Sequence, residues 1–136
     1  MADRVKCVDC DLRYKVGRSP RCNICKKRRQ SEKAHGSVLR AKYGITAEEY
    51  AALLADQGGV CYICGGKSGK KRLAVDHDHR TGEVRGLLCK RCNRMLGYYR
   101  DNAGAFARAA AYLRIPPSRA ILDKRDWTAY IEEKYR

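Results

Sequence analysis

Eight cysteines in 136 residues fall into four Cys-x-x-Cys pairs, Cys7/Cys10, Cys22/Cys25, Cys61/Cys64 and Cys89/Cys92, and no other feature limits the fold as much. The opening residues MADRVKCVDCDLR carry no apolar run of the kind a secretory leader has. A reducing, cytoplasmic compartment is therefore expected, where cysteines paired at this spacing read as zinc ligands and not as disulfides. The alternative for either quartet is a redox dithiol, but four cysteines at knuckle spacing suit closure of a metal site better. No apolar stretch approaches the ~18 residues of a membrane span, so no membrane partner is expected.

Staples are needed because the apolar material is thin. Charged residues make up 33% of the chain, mean hydropathy is −0.63, and one Trp and one Phe accompany nine Tyr. A chain this polar buries too little apolar surface to hold together on that term alone. Its formal net charge is +15. Two zinc sites of four cysteines would each add four thiolates and one dication, bringing the folded charge to about +11. Such a surface seeks polyanions, and inside a cell that means nucleic acid. A basic surface kept only for solubility would be scattered, whereas here it gathers around the cysteine pairs.

Residues 1–30 read as an N-terminal zinc ribbon, C-x2-C-x11-C-x2-C, with Gly17 and Pro20 in its loops and Lys26-Lys27-Arg28-Arg29 at its exit. Residues 31–44 predict a basic linking helix with Ser31 as N-cap, Val38, Leu39 and Tyr43 on one face, and Gly44 as the stop. His35 on that helix reads as a surface residue. Residues 45–115 would form the core. A capping box, Thr46 with Glu49, starts a helix carrying Tyr50, Leu53, Leu54 and Gln57 on one face and ending at Gly58-Gly59. After the Cys61–Gly66 knuckle, Leu73-Ala74-Val75 and Glu83–Leu88 predict a β-hairpin turning at Arg80-Thr81-Gly82. Helices follow from Asn93 toward Tyr99 and from Asn102 to Pro116-Pro117. Residues 116–136 form a tail expected to pack on the body or on a second subunit.

The second quartet, C-x2-C-x24-C-x2-C, encloses Asp76-His77-Asp78-His79, and Asn93 directly follows its last ligand. Closing the quartet would bring Asp76, His77 and Asn93 toward one region. Phosphodiester cleavage needs a base for water, and an unperturbed imidazole titrates near pH ~6.5. It also needs a divalent cation, and the oxygens of Asp76 and Asn93 suit a hard ion such as Mg²⁺. Four cysteines complete a zinc tetrahedron and leave no open position for water. The competing readings are a further metal site or a loop charge cluster for the DHDH stretch, and a helix N-cap for Asn93.

The runs CYICGG, LAVDHDH, TGEVRGLLCKRCN and LGYYRDN, with the lead-in RAKYGITAEEY, resemble the recombination endonuclease VII family of phage nucleases, within the HNH or His-Me finger superfamily. The resemblance spans about residues 37–115. It implies an α+β fold with a zinc-stapled ββα-metal core and flanking helices. His77 would be the general base, Asp76 and Asn93 the ligands of a single Mg²⁺ or Mn²⁺, and His79 a further residue needed for activity. Products would carry 5′-phosphate and 3′-hydroxyl ends. The N-terminal quartet lies outside the resemblance.

The partner expected is therefore DNA, duplex or branched. Lys70, Lys71, Arg72, Lys90, Arg91 and Arg94, with Lys26, Lys27, Arg28 and Arg29, read as phosphate contacts that set affinity and not base choice. Arg85 would touch a phosphate or else pair with Asp78 or Glu83. Cutting both strands of a junction would call for a homodimer, with Trp127–Ile131 as candidate contact. Two rivals stay open: a nuclease that nicks or cuts linear duplex, as in DNA packaging or mobile-element transfer, and a double-zinc DNA-binding module without catalysis.

Overall fold

The computed structural model describes residues 5–67, 69, 71–122 and 127–134, and its chain divides into two compact units, Met1–Asn93 and Arg94–Arg136. The fold is α+β: α1 (Asn23–Tyr43), α2 (Ala47–Asp56), β1 (Ala74–His77), β2 (Val84–Leu88), α3 (Lys90–Tyr98), α4 (Ala103–Arg114), α5 (Arg119–Leu122) and α6 (Trp127–Lys134). Among the described residues no helix is long and apolar enough to cross a membrane.

The ribbon is held by sulfur. Its buried cluster consists of Cys7, Cys22 and Cys25 with Cys10 against it, while Val5, Val8, Leu12 and Tyr14 are exposed. One antiparallel bridge, Lys6 to Tyr14, closes the first loop, and Asp11 N–H returns to the Cys7 carbonyl at 2.9 Å. The second knuckle repeats the device: Gly65 N–H returns to the Cys61 carbonyl at 2.9 Å. The second pair of each quartet also sits alike. Cys22 and Cys89 each precede a helix by one residue, and Cys25 and Cys92 are the third residues of α1 and α3. The partial positive charge of a helix N-terminus favours thiolates placed there.

α1 begins eight residues before Ser31, which lies inside it, and Cys22 holds the N-cap position without a side-chain cap. The paired cysteines thus stand where a polar capping residue would, in place of the expected Ser31 cap. The ribbon exit and the linking segment form one helix of 21 residues, about 31 Å long at ~1.5 Å per residue. Residues 26–34 are exposed on every side, so this stretch is a strut between the ribbon and the first packed residues, His35, Leu39 and Tyr43. Gly44 ends it in the left-handed conformation, φ 68°, with its N–H on the Arg40 carbonyl.

α2 starts on the expected capping box: Glu49 N–H donates to Thr46 Oγ1 at 3.1 Å and Thr46 N–H to Glu49 Oε2 at 2.7 Å. Its buried Tyr50 donates its hydroxyl to the Leu73 carbonyl at 2.8 Å and meets the His35 ring edge-on at 4.8 Å. His35 is therefore half-buried packing and not a surface residue. Burial, then the Arg72 guanidinium, lowers its pKa.

β1 and β2 form a two-stranded antiparallel sheet. Leu73, Val75, Leu87 and Leu88 are buried with Leu39 and Tyr50 in a small core. At the far end of α2, Gln57 acts as a substitute strand: its Nε2 donates to the Leu87 and Val60 carbonyls at 2.8 and 3.0 Å, and its Oε1 accepts from Leu87 N–H at 2.8 Å. The second unit carries the Asn102 cap expected for α4, Ala105 N–H to Asn102 Oδ1 at 3.0 Å. Tyr99 and Phe106 meet edge-on at 5.1 Å. No residue of α4 is buried.

Candidate active site

β1 runs two residues beyond the expected Leu73–Val75, so Asp76 and His77 lie within the strand and not in the loop. The pairing steps from Asp76 opposite Gly86 to His77 opposite Val84, leaving Arg85 as the extra residue of a bulge in β2. A bulge re-aims the side chain it carries. Here the Arg85 fork lands on Asp76, Nε to Oδ2 at 2.7 Å and Nη2 to Oδ1 at 3.0 Å. Asp76 is 5% exposed and is the buried charged residue among those described. The two-pronged partner of Arg85 is thus Asp76, where proximity in sequence had suggested Asp78 or Glu83; its charge also acts on Asp78, lowering that carboxyl's pKa after the backbone N–H groups of Thr81 and Arg80. The one local signal was Gly86, since an isolated glycine in a strand marks a bulge.

His77 is half-buried, its ring between those of Tyr43 at 5.3 Å and His79 at 4.8 Å. His79 is exposed. Asp78 has a different task. Its Oδ1 accepts from Arg80 and Thr81 N–H at 2.8 and 3.0 Å, and its own N–H bonds to the Glu83 carbonyl, so it builds the turn. The Thr81 and then the Arg80 N–H lower its pKa. The four consecutive residues therefore divide into a buried carboxylate, a half-exposed imidazole, a turn former and an exposed imidazole. Tyr43 and Gln57 are the residues of this region that had no sequence signal for these contacts.

Asn93 is the fourth residue of α3, past the N-cap position that Cys89 occupies, and is half-buried with its N–H on the Cys89 carbonyl. Capping is therefore not its role. It follows Cys92 directly, so the second quartet fixes where it stands.

Both quartets fit zinc. Four sulfurs at about 2.3 Å from one ion would lie about 3.8 Å apart. In each quartet all ligand atoms lie within 4.8 Å of one another, with Cys10 and Cys22 sulfurs at 4.0 Å and Cys64 and Cys89 sulfurs at 3.9 Å. The backbone N–H of Cys22, above all, draws the Cys7 thiol down to about 6, while burial and the crowding sulfurs push Cys25 up to about 12. Burial raises Cys61, but N–H groups of Cys64, Cys89 and Ile63 outweigh it and bring that thiol to about 6; burial and its neighbours hold Cys92 at about 12. Sulfurs so crowded share negative charge only when a cation joins them. Among the described residues, Asp76, His77 and His79 do not form a third such cluster.

Of the expected phosphate contacts, Lys71, Arg72, Lys90, Arg91 and Arg94 are exposed. Lys26 and Lys27 are exposed on the strut, Arg28 pairs with Glu32 at 3.9 Å, and Arg29 is tied at 3.6 Å to Asp9, which also accepts from Arg21 at 2.9 Å. Lys70 lies outside the described residues, and so does the side chain of Trp127.

The recombination endonuclease VII family matches residues 36–115, the stretch from the packed half of α1 through α4. The chain is 55% identical over 89 residues to "Gene 59 protein" of Mycobacterium phage D29 and 52% identical over 89 residues to "Gene 59 protein" of Mycobacterium phage L5. In both cases 64% of this chain and 54% of the relative are covered, so the chain spans about half the length of the curated relatives it matches. No solved structure matches. With more than half of its residues inside that match, the chain belongs to the recombination endonuclease VII family.

Proposed function

We propose that this chain is a DNA endonuclease that hydrolyses a phosphodiester bond with His77 as general base and one Mg²⁺ or Mn²⁺ held by Asp76 and Asn93, its two zinc sites serving structure alone. The observation that carries the reading is the contrast between two neighbours in β1: the Asp76 carboxylate is buried and fixed, while the His77 imidazole stays half-exposed between two rings. A carboxylate with an amide oxygen is a hard donor set, suited to Mg²⁺ or Mn²⁺. Bound there, such a cation offsets charge on the phosphate and on the departing 3′ oxygen.

His77 takes the proton of the attacking water. Its ring is restrained by Tyr43 and His79, which keeps the accepting nitrogen at one place and lowers the cost of reaching an in-line geometry. His79, exposed beside it, donates to a phosphate oxygen. Asn93 directly follows the last cysteine of the second quartet in the first turn of α3, and four sulfurs would leave zinc no position for water. The products carry 5′-phosphate and 3′-hydroxyl ends.

The word recombination in the family's description supports a reading of branched DNA as substrate, and relatives encoded by phages support action in the host cytoplasm. Cutting both strands of a junction calls for two centres, hence a homodimer through residues 116–136. Incubation of a four-way junction beside its component duplexes, with Mg²⁺, separates the readings. Preferential cleavage of the junction is expected; equal rates would make the protein a duplex nuclease. Salt-sensitive binding with every strand intact would make it a DNA-binding module without catalysis. His77→Ala is expected to keep folding and zinc content and to abolish cutting, and full activity in that variant would sink the assignment.

A further inference from the structure

The Asp76–Arg85 pair is unequal. The Asp76 side chain is 7% exposed and anchored in β1; that of Arg85 is 31% exposed and rides on the bulge. One partner is fixed, and the other has a path to solvent. The bulge itself is held firmly: buried Gly86 has φ 155°, a Cβ there would meet Gln57 Oε1 at 3.0 Å, and the same Gln57 oxygen accepts from Leu87 N–H. Any rearrangement must therefore come from the Arg85 side chain and not from the strand.

Both oxygens of Asp76 are engaged by the guanidinium. A divalent cation at this carboxylate has to share it with Arg85 or displace Arg85, and two positive charges on one buried carboxylate repel. We propose that Arg85 is an exchangeable counter-ion: it balances the buried charge of Asp76 until a divalent cation takes the carboxylate, and its released fork then binds the oxygens of the DNA phosphate at the cleavage site. The exchange rests on the reading that Asp76 holds the catalytic cation. It is chemically conservative, because a guanidinium meets phosphate with the same two-pronged geometry as carboxylate. It also links the two ligands: DNA that captures Arg85 tightens cation binding, and by reciprocity the cation tightens DNA binding.

The test is Mn²⁺ affinity, read from the electron paramagnetic resonance signal of free Mn²⁺, on the full zinc-loaded chain. His77→Ala is included so that DNA stays intact, and measurements are made with and without duplex. Without DNA, Arg85→Gln is expected to bind Mn²⁺ about tenfold more tightly than the Arg85 protein, the scale on which partners of a ligating carboxylate alter metal affinity. The tightening that DNA causes should be lost in the same variant. A residue that only orients Asp76 gives the opposite sign, a loss of about 10–100-fold, and that result or an unchanged affinity overturns the exchange.

Should Arg85→Gln not fold by circular dichroism and zinc content, Arg85→Lys carries the test. Its point charge forfeits one of the two hydrogen bonds, so tighter Mn²⁺ binding is again expected and weaker or equal binding is again fatal. Asp76→Asn separates the two levels of the claim. If it abolishes Mn²⁺ binding while Arg85→Gln brings no tightening, the exchange alone fails; if it leaves binding intact, the cation site itself is misplaced and the exchange falls with it.

Discussion

Tyr43, the last residue of α1, sets its ring edge-on to His77, centroids 5.3 Å apart and planes at 67°. The same helix carries Cys25 of the first quartet in its first turn, so one continuous element joins the ribbon to the imidazole that the proposed mechanism uses. Loss of the Tyr43 ring frees His77 to leave its rotamer. Tyr43→Ala is expected to lower kcat by about ten- to a hundredfold with KM little changed, since misplacement of about 1 Å costs on that scale. Tyr43→Phe keeps the ring and should keep the rate. Steady-state cleavage assays decide it, and equal kcat for both variants would show that the contact does not position the base.

The two quartets do separate jobs and should fail separately. In the ribbon the buried residues are cysteines, whereas the second quartet fixes the corner between β2 and α3 beside the small apolar core. Two zinc ions per chain are expected by metal analysis. Cys22→Ser should retain one zinc and a cooperative melting transition of the core. Cys61→Ser should retain one zinc and lose that transition, because structural zinc supplies about 10–16 kcal/mol of apparent folding free energy in small domains. A Cys61→Ser protein that melts like the parent would refute the staple.

Asp78 is a turn residue inside a catalytic-looking run. Its side chain accepts two backbone N–H groups, and the loss of one such bond costs about 1 kcal/mol. Asp78→Ala should lower the melting temperature by a few degrees while the folded enzyme keeps its kcat. Asp78→Asn keeps an acceptor and should be near neutral. A tenfold fall in kcat for Asp78→Asn would give this carboxylate a part in the chemistry.

His35 makes stability depend on pH. Its pKa is lowered in the folded state, by burial first and by Arg72 second. The unfolded chain therefore binds its proton more readily, so this contribution is complete above the ordinary value of 6.5 and is lost as pH falls below it. His35→Phe keeps an edge-on partner for Tyr50 and removes the titration. Melting temperatures at pH 7.5 and 5.5 should fall less on acidification in His35→Phe than in the parent, and parallel losses would discard this linkage.

The local signals in the chain were legible because they act within a few residues. The Thr46–Glu49 capping box, the Gly44 stop, the Asn102 cap and the spacing of both quartets all appear where the sequence puts them. The start of α1 departs from the expected Ser31 for an equally local reason: Ser31 is a good cap by type, but the helix already begins at the Cys22/Cys25 pair. Asp76 and His77 stood out by residue type, although their place within the strand did not.

By itself the sequence determined the sulfur frame and the family, since cysteine spacing and side-chain identity are written along the chain. Tertiary structure decided which of those groups meet. Arg85 reaches Asp76 only because pairing slips at the bulge, Gln57 completes β2 from 30 residues away, and Tyr43 meets His77 only when the last turn of α1 comes beside the end of β1. Strand register and helix packing are set by burial summed over the whole core, so no window of sequence contains them.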